Sequence, residues 1–334
     1  AGLAMARIEN GQLSWTHYTG EQGPGIPASA DTLFNTGSIT KTITAELTLR
    51  LADAGHISLD EPIASEYIHP DLAEDPRYND LTPRIILSHQ SGLLNWAYQY
   101  ENFELAFVQD PGSGFTYSGE AFEMLVAFLA ARMDSDFASL VDTYVFDPMG
   151  LENMHLGATA AEGPNRATPM DADGVYGEPD RFAFPPNSAD NLFTTLEDYT
   201  DFLMAIMADE ARRDDLSTAR RAIISNTDEQ APCFIEPAEN CPTTTGYSLG
   251  WAVYAYEDTT VIHHGGSDWG ENAFAYFDTA GQDGYVIFGN GGNSMGAIFT
   301  LLEWLDPQDR AASYFLALPP VQASLAQMRG ETAP

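Results

Sequence analysis

The chain has 334 residues, 44% of them hydrophobic and 18 of them phenylalanine, a composition that fits a folded globular protein and excludes a disordered one. Its 49 acidic residues stand against 14 basic ones, a formal charge of −35, which disfavours nucleic acid and anionic membrane surfaces as partners. No run of roughly 18 or more apolar residues occurs, so no membrane span is expected.

Residues 2–8 (GLAMARI) and 12–18 (QLSWTHY) read as two strands joined at Asn10-Gly11, the strongest short hairpin signal. A helical pattern runs from Ser38 to Ala54 through Ile43, Leu47 and Leu51, with Gly55 as its C-cap. Helical segments and long turns then fill the chain to about 230. They include a short helix in TPRIILSHQSGLL, an amphipathic helix over 119–133 and another over 196–208. Between these, 157–190 is rich in Gly, Pro, Asp and Ala and reads as an extended surface excursion. Beyond 230 the pattern turns to strands at 247–257, 260–264, 272–278 and 284–290, then to helices over about 295–305 and 311–328. Strands at both ends with helices between them predict an α+β fold: residues 1–60 and 230–334 form a discontinuous sheet domain, and 61–229 a mainly helical insert.

Lys41 is the single lysine, and the other 13 basic residues are arginines. It stands three residues after Ser38 in NTGSITKTITAEL, where a strand-like run gives way to a helix. Residues at i and i+3 share a helix face, so a nucleophilic hydroxyl and a candidate base point the same way. A lone lysine in a lysine-poor chain is the plainer alternative. Tyr117 stands in a Gly-rich turn just before a helix, suited to holding a phenol at the rim of a cleft. His263 and His264 end a strand and precede Gly265 and Gly266, which permit close backbone approach to a ligand; a solvated turn is the alternative.

At molar salt the Debye length falls to about 3 Å, which would screen most of the self-repulsion, so the acidic, lysine-poor composition reads as salt adaptation, with an ordinary low-pI enzyme as the alternative. Cys233 and Cys241 lie in a Pro-rich loop without metal-ligand partners. A disulfide closing it would contribute roughly 2–3 kcal/mol and imply an oxidising, periplasmic or secreted location. Two free thiols would fit a cytoplasmic one. The opening AGLAMARIENG has no basic n-region or apolar h-region; either no signal peptide was carried or its leader is absent from this sequence.

The order S-x-x-K, Y-S-x and H-x-G, with ILSHQSGLL, FDPMGLENM and ADNLFTTLEDYTDFL between them, resembles the serine β-lactamase and penicillin-binding-protein superfamily. The likeness covers residues 2 to about 305 and falls in the branch of class C β-lactamases, D-alanyl-D-alanine carboxypeptidases, D-aminopeptidases and β-lactamase-like carboxylesterases. It implies a β-lactamase/transpeptidase-like fold, an antiparallel sheet flanked by helices, and no metal or organic cofactor. Carried over, Ser38 is the acylated nucleophile, Lys41 its base or proton shuttle, and Tyr117 a second proton-transfer group. His264, Gly265 and Gly266 take the third motif on an edge strand, and the backbone N–H groups of Ser38 and Ser267 form the oxyanion hole.

Three departures stand out. Gly119 replaces the asparagine of Y-x-N, His264 replaces the lysine found in β-lactamases, and no helix precedes the first strand, a place that 311–328 is a candidate to fill. With no cation beside the third motif, the expected substrates are neutral short-chain esters or uncharged amides, unless Arg84 or Arg310 reaches the site. A β-lactamase, carboxypeptidase or D-aminopeptidase activity is the alternative within the family, and a non-catalytic scaffold the alternative outside it.

Overall fold

Asn10 and Gly11 both adopt positive φ (51° and 73°), the backbone that a tight two-residue hairpin needs. They join β1 (Gly2–Glu9) to β2 (Gln12–Gly23), which runs beyond the expected end at 18 until β3 (Ile26–Pro27) folds back on it. The other side of β1 pairs with β12 (Gly284–Gly289), Leu3 opposite Gly289, so the two ends of the chain share one sheet. The computed structural model describes residues 1–158, 161, 163–177, 185–212, 215–231, 240–306 and 309–329. Among them the large sheet has the order β3-β2-β1-β12-β11-β10-β9-β8-β7. Its remaining strands are β7 (Ser225–Asn226), β8 (Thr244–Tyr247), β9 (Ala252–Ala255), β10 (Thr260–Asp268) and β11 (Glu271–Asp278). A small sheet joins β4 (Phe34–Asn35), β6 (Leu192–Thr194) and β5 (Met154–Leu156) in that order.

Both faces of the large sheet are covered, which is why its central strands are apolar throughout rather than alternating. On β11, Ala273, Ala275 and Phe277 join the core around helix α1 (Thr40–Asp53), while Phe274 and Tyr276 face the C-terminal helices Ser294–Leu305, Arg310–Ala317 and Pro319–Arg329. The single helix expected over 311–328 is thus two, broken at Leu318-Pro319 where proline ends the first. The first of these packs Tyr314 and Phe315 on that outer face.

The strand expected over 247–257 is interrupted. Gly250 has φ 82°, and a Cβ there would come within 2.2 Å of the Ala45 Cβ on α1, so the chain leaves the sheet to let the helix in. A helix at Asp215–Arg221 went unread in the sequence. Gly119–Met133 and Leu196–Arg212 are helices where expected, the second longer than 196–208. Cys233 lies outside the described residues, and so does the expected pairing with Cys241. No described helix is long and apolar enough to cross a membrane.

Candidate active site

Ser38 sits in a single 3-10 turn, Gly37–Ile39, that leads into α1. One turn on, Lys41 is fully buried, its Nζ donating to Ser38 Oγ at 3.2 Å and to the Ala189 carbonyl at 2.8 Å. Burial pulls the ammonium from its ordinary 10.5 to about 7, while the carboxylates of Asp190 and Glu123 oppose the fall. The Tyr117 ring lies 4.8 Å from Lys41 Nζ. Its hydroxyl is hydrogen-bonded to Ser38, and burial drives its pKa far up, so it remains a phenol. Tyr117 is half-buried and lies over the lysine.

Behind it stacks His89, ring centroids 4.1 Å apart. His89 accepts the Ser118 N–H at Nδ1 (3.2 Å), and burial lowers its pKa well below the ordinary value, so it is a neutral spacer. The sequence held no signal for this role, because the stacking joins two loops distant in the chain.

His263 and His264 point to opposite faces of β10. His263 is buried among Tyr254, Phe274 and Phe315, away from the serine. His264 faces Tyr247 on the Lys41 side. Its Nδ1 lies 2.7 Å from the Gly265 carbonyl. A carbonyl only accepts, so Nδ1 carries the proton and Nε2 is left a bare acceptor. Burial holds its pKa down at about 3, so His264 does not supply a cation.

The strand itself is not an edge strand, being flanked by β11 and β9. However, β9 pairs only as far as His263, and residues beyond it pack on the serine turn instead. Glycine is required there: a Cβ on Gly266 would meet the Thr36 carbonyl oxygen at 1.9 Å, and one on Gly37 would meet the Ser267 nitrogen at 2.9 Å. This close approach brings the backbone of Ser38 and Ser267 together. Gly265 is not forced in the same way, since a Cβ would make ordinary contact with Phe274 at 3.6 Å.

At Gly119 a Cβ would fall 2.6 Å from the Trp96 indole. An aromatic ring from the preceding loop thus fills the space that a side chain at position 119 would need, an arrangement invisible from position 119 alone.

A cleft of about 610 Å³ opens beside Ser267, walled by Trp96, Tyr98, Phe103, Glu120, Asp190 and Asp268. Among the described residues no lysine or arginine lines it. Arg84 pairs with Asp60 and Arg310 with Asp258, both on the exposed surface, so neither restores a cationic site. The acidic lining was not read from the sequence, because Asp190 and Asp268 approach the serine only through folding. Among the described residues no cluster of three or more His, Cys, Asp or Glu is placed to hold a metal.

The chain is 24% identical over 306 residues to the unguisins hydrolase ungD of Aspergillus violaceofuscus, covering 79% of this chain and 54% of that protein. It is 29% identical over 214 residues to esterase EstB of Burkholderia gladioli, covering 55% of this chain and 50% of the esterase. The chain therefore spans about half the length of these relatives. Its fold is similar to the octameric penicillin-binding protein homologue of Pyrococcus abyssi, with a TM-score of 0.71 at 16% identity over 99% of this chain and 74% of that one. The Beta-lactamase family profile matches residues 1–301, and the chain belongs to the Beta-lactamase family.

Proposed function

We propose that the protein is a serine hydrolase that forms an acyl-enzyme on Ser38 and acts on esters or amides lacking a carboxylate, as a carboxylesterase or amidase. The observation that carries this reading is the buried Lys41 amine, 3.2 Å from Ser38 Oγ and in no ion pair among the described residues. An amine near pKa 7 is a base at neutral pH, where an ordinary lysine is not. Lys41 takes the Ser38 proton as Oγ attacks the carbonyl carbon. The oxyanion forms between the Ser38 and Ser267 N–H groups. Tyr117, kept protonated by burial, donates to the leaving oxygen or nitrogen and recovers a proton from the Lys41 ammonium. Water then attacks the acyl-enzyme through the same groups in reverse, restoring Ser38. His264 offers Nε2 only as an acceptor; Gly266 and Gly119 act indirectly, the first admitting the serine turn and the second the Trp96 ring, while Gly265 leaves ordinary room on the strand.

In this reading the cleft lies between the sheet portion, 1–60 and 230–334, and the helical portion, 61–229. The charge of −35 reflects life at high salt, and Cys233 and Cys241 form a disulfide suited to a periplasmic or secreted protein. The substrate claim is tested by kcat/KM for p-nitrophenyl butyrate against nitrocefin and a diacetyl-lysyl-D-Ala-D-Ala peptide at matched salt. Faster turnover of the ester is expected. Faster turnover of either anionic substrate would replace the esterase reading with a β-lactamase or carboxypeptidase one.

A further inference from the structure

Asp190 follows directly on Ala189, whose carbonyl holds Lys41 Nζ at 2.8 Å. Its carboxylate acts electrostatically on Lys41, and the residue lines the cleft together with Ser267. The loop is braced for this: Asn191 adopts φ 65°, its side chain accepting from the Asn187 N–H (3.2 Å) and donating to the Pro185 carbonyl (2.9 Å). The three carboxylates of the cleft differ in what holds them. Asp268 is held at both oxygens, by the Trp269 N–H at 2.6 Å and Asn35 Nδ2 at 3.0 Å. Glu120 accepts the Ala97 N–H at 2.7 Å. Among the described residues Asp190, like Glu120, accepts a single N–H, that of Asn191 at 2.9 Å, and forms no salt bridge.

Two further features favour a cation in this space. Trp96 lines the cleft with Tyr98 and Phe103, both 67% exposed, and aromatic faces attract ammonium groups. Burial and the neighbouring Asp268 raise the Asp190 carboxyl to about 6, with Lys41 opposing, so it is ionised at neutral pH at the expense of its solvation.

We propose that Asp190 is a specificity-determining residue that selects substrates whose acyl part carries a protonated amine beside the scissile carbonyl, the chemical class being amino-acid amides and esters. The proposal rests on the hydrolase reading for which carbonyl is attacked, but its binding step is measured separately.

The test is calorimetric binding to the Ser38→Ala protein, at one salt concentration and about pH 7, where an α-amine of pKa about 8 is mostly protonated. The probes are L- and D-leucinamide and their neutral isostere 2,4-dimethylpentanamide. One leucinamide enantiomer should bind about tenfold or more tightly than the isostere, the scale of a charge-assisted hydrogen bond. Adding Asp190→Asn should abolish that advantage and Asp190→Glu retain part of it. With Asp190 intact, the advantage should fade as pH drops through about 6 and the carboxylate protonates. Equal binding of the amine and its isostere, or an advantage that survives Asp190→Asn, overturns the proposal. If that variant does not fold, an advantage that persists at about pH 5, below the raised carboxyl, overturns it equally. Failure of the hydrolase reading is seen elsewhere, as wild-type protein whose Ser38 a fluorophosphonate never labels.

Discussion

Lys41 and Glu46 stand on the same helix, α1, and both are hidden from water, yet their charges are treated in opposite ways. Glu46 is met by Arg220, itself 0% exposed, at 2.8 Å and by Arg50 at 2.7 Å. Arg220 also reaches Asp209 at 3.4 Å, and Arg221 meets Glu210 at 3.1 Å. This is a paired network behind the helix. Lys41, at the front, is given a carbonyl and a hydroxyl but no salt-bridged carboxylate among the described residues, with Asp190 and Glu123 acting from farther off. The same burial therefore keeps an ion pair intact on one side and pushes a proton off an amine on the other. The counter-ion decides between structure and chemistry.

Replacing Lys41 with methionine should separate the two outcomes most sharply. Turnover should fall by on the order of 10⁴-fold or more, the scale seen when one member of a catalytic unit is removed. Stability should move the other way. Below about pH 7 native Lys41 is protonated in a site that disfavours its charge, and between 7 and its unfolded value of 10.5 only the unfolded chain holds that proton. Wild-type stability due to this group therefore rises with pH across that window. Lys41→Met should melt higher than wild type at about pH 6, with the gap closing towards about pH 10; a gap that widens with pH would contradict the sign.

Tyr117→Phe should cost on the order of 10²- to 10⁴-fold in kcat, because a positioned proton donor is lost while Lys41 remains. Steady-state kinetics on an ester substrate measures this. Arg220→Ala probes the other side of the helix. Removing one partner of a buried network leaves carboxylates unpaired and should destabilise by about 3–5 kcal/mol in urea unfolding. A neutral result would mean the network relaxes into water. The smallest effect per group is that of the surface: melting temperature should rise from low to molar NaCl as repulsion among the 49 carboxylates is screened, and a flat curve would make the acidity incidental.

Much of this contrast was legible at its chemical end and hidden at its structural end. Ser38 and Lys41 lie one helical turn apart, so local periodicity alone brings them together. Asn10-Gly11 likewise dictates its own hairpin, and the strands at the two termini find each other across β1 and β12 as expected. The pairing of Glu46 with Arg220 was not legible, because it joins residues 174 positions apart. Trp96 over Gly119, His89 behind Tyr117 and Asp190 beside Lys41 are equally non-local. Each depends on which loop the fold lays against the serine. The misreading of β10 as an edge strand has the same origin, since where β9 stops pairing is set by the break at Gly250 that admits α1.

The central claim, that a neutral buried Lys41 activates Ser38, is tested most directly by the rate of fluorophosphonate labelling as a function of pH, with the adduct located by mass spectrometry. The adduct should fall on Ser38, and the rate should rise through an inflection near pH 7 as Lys41 loses its proton, an inflection that Lys41→Met abolishes along with most of the rate. An adduct on another residue, or Ser38 labelling that is equally fast and equally pH-dependent without Lys41, would contradict it.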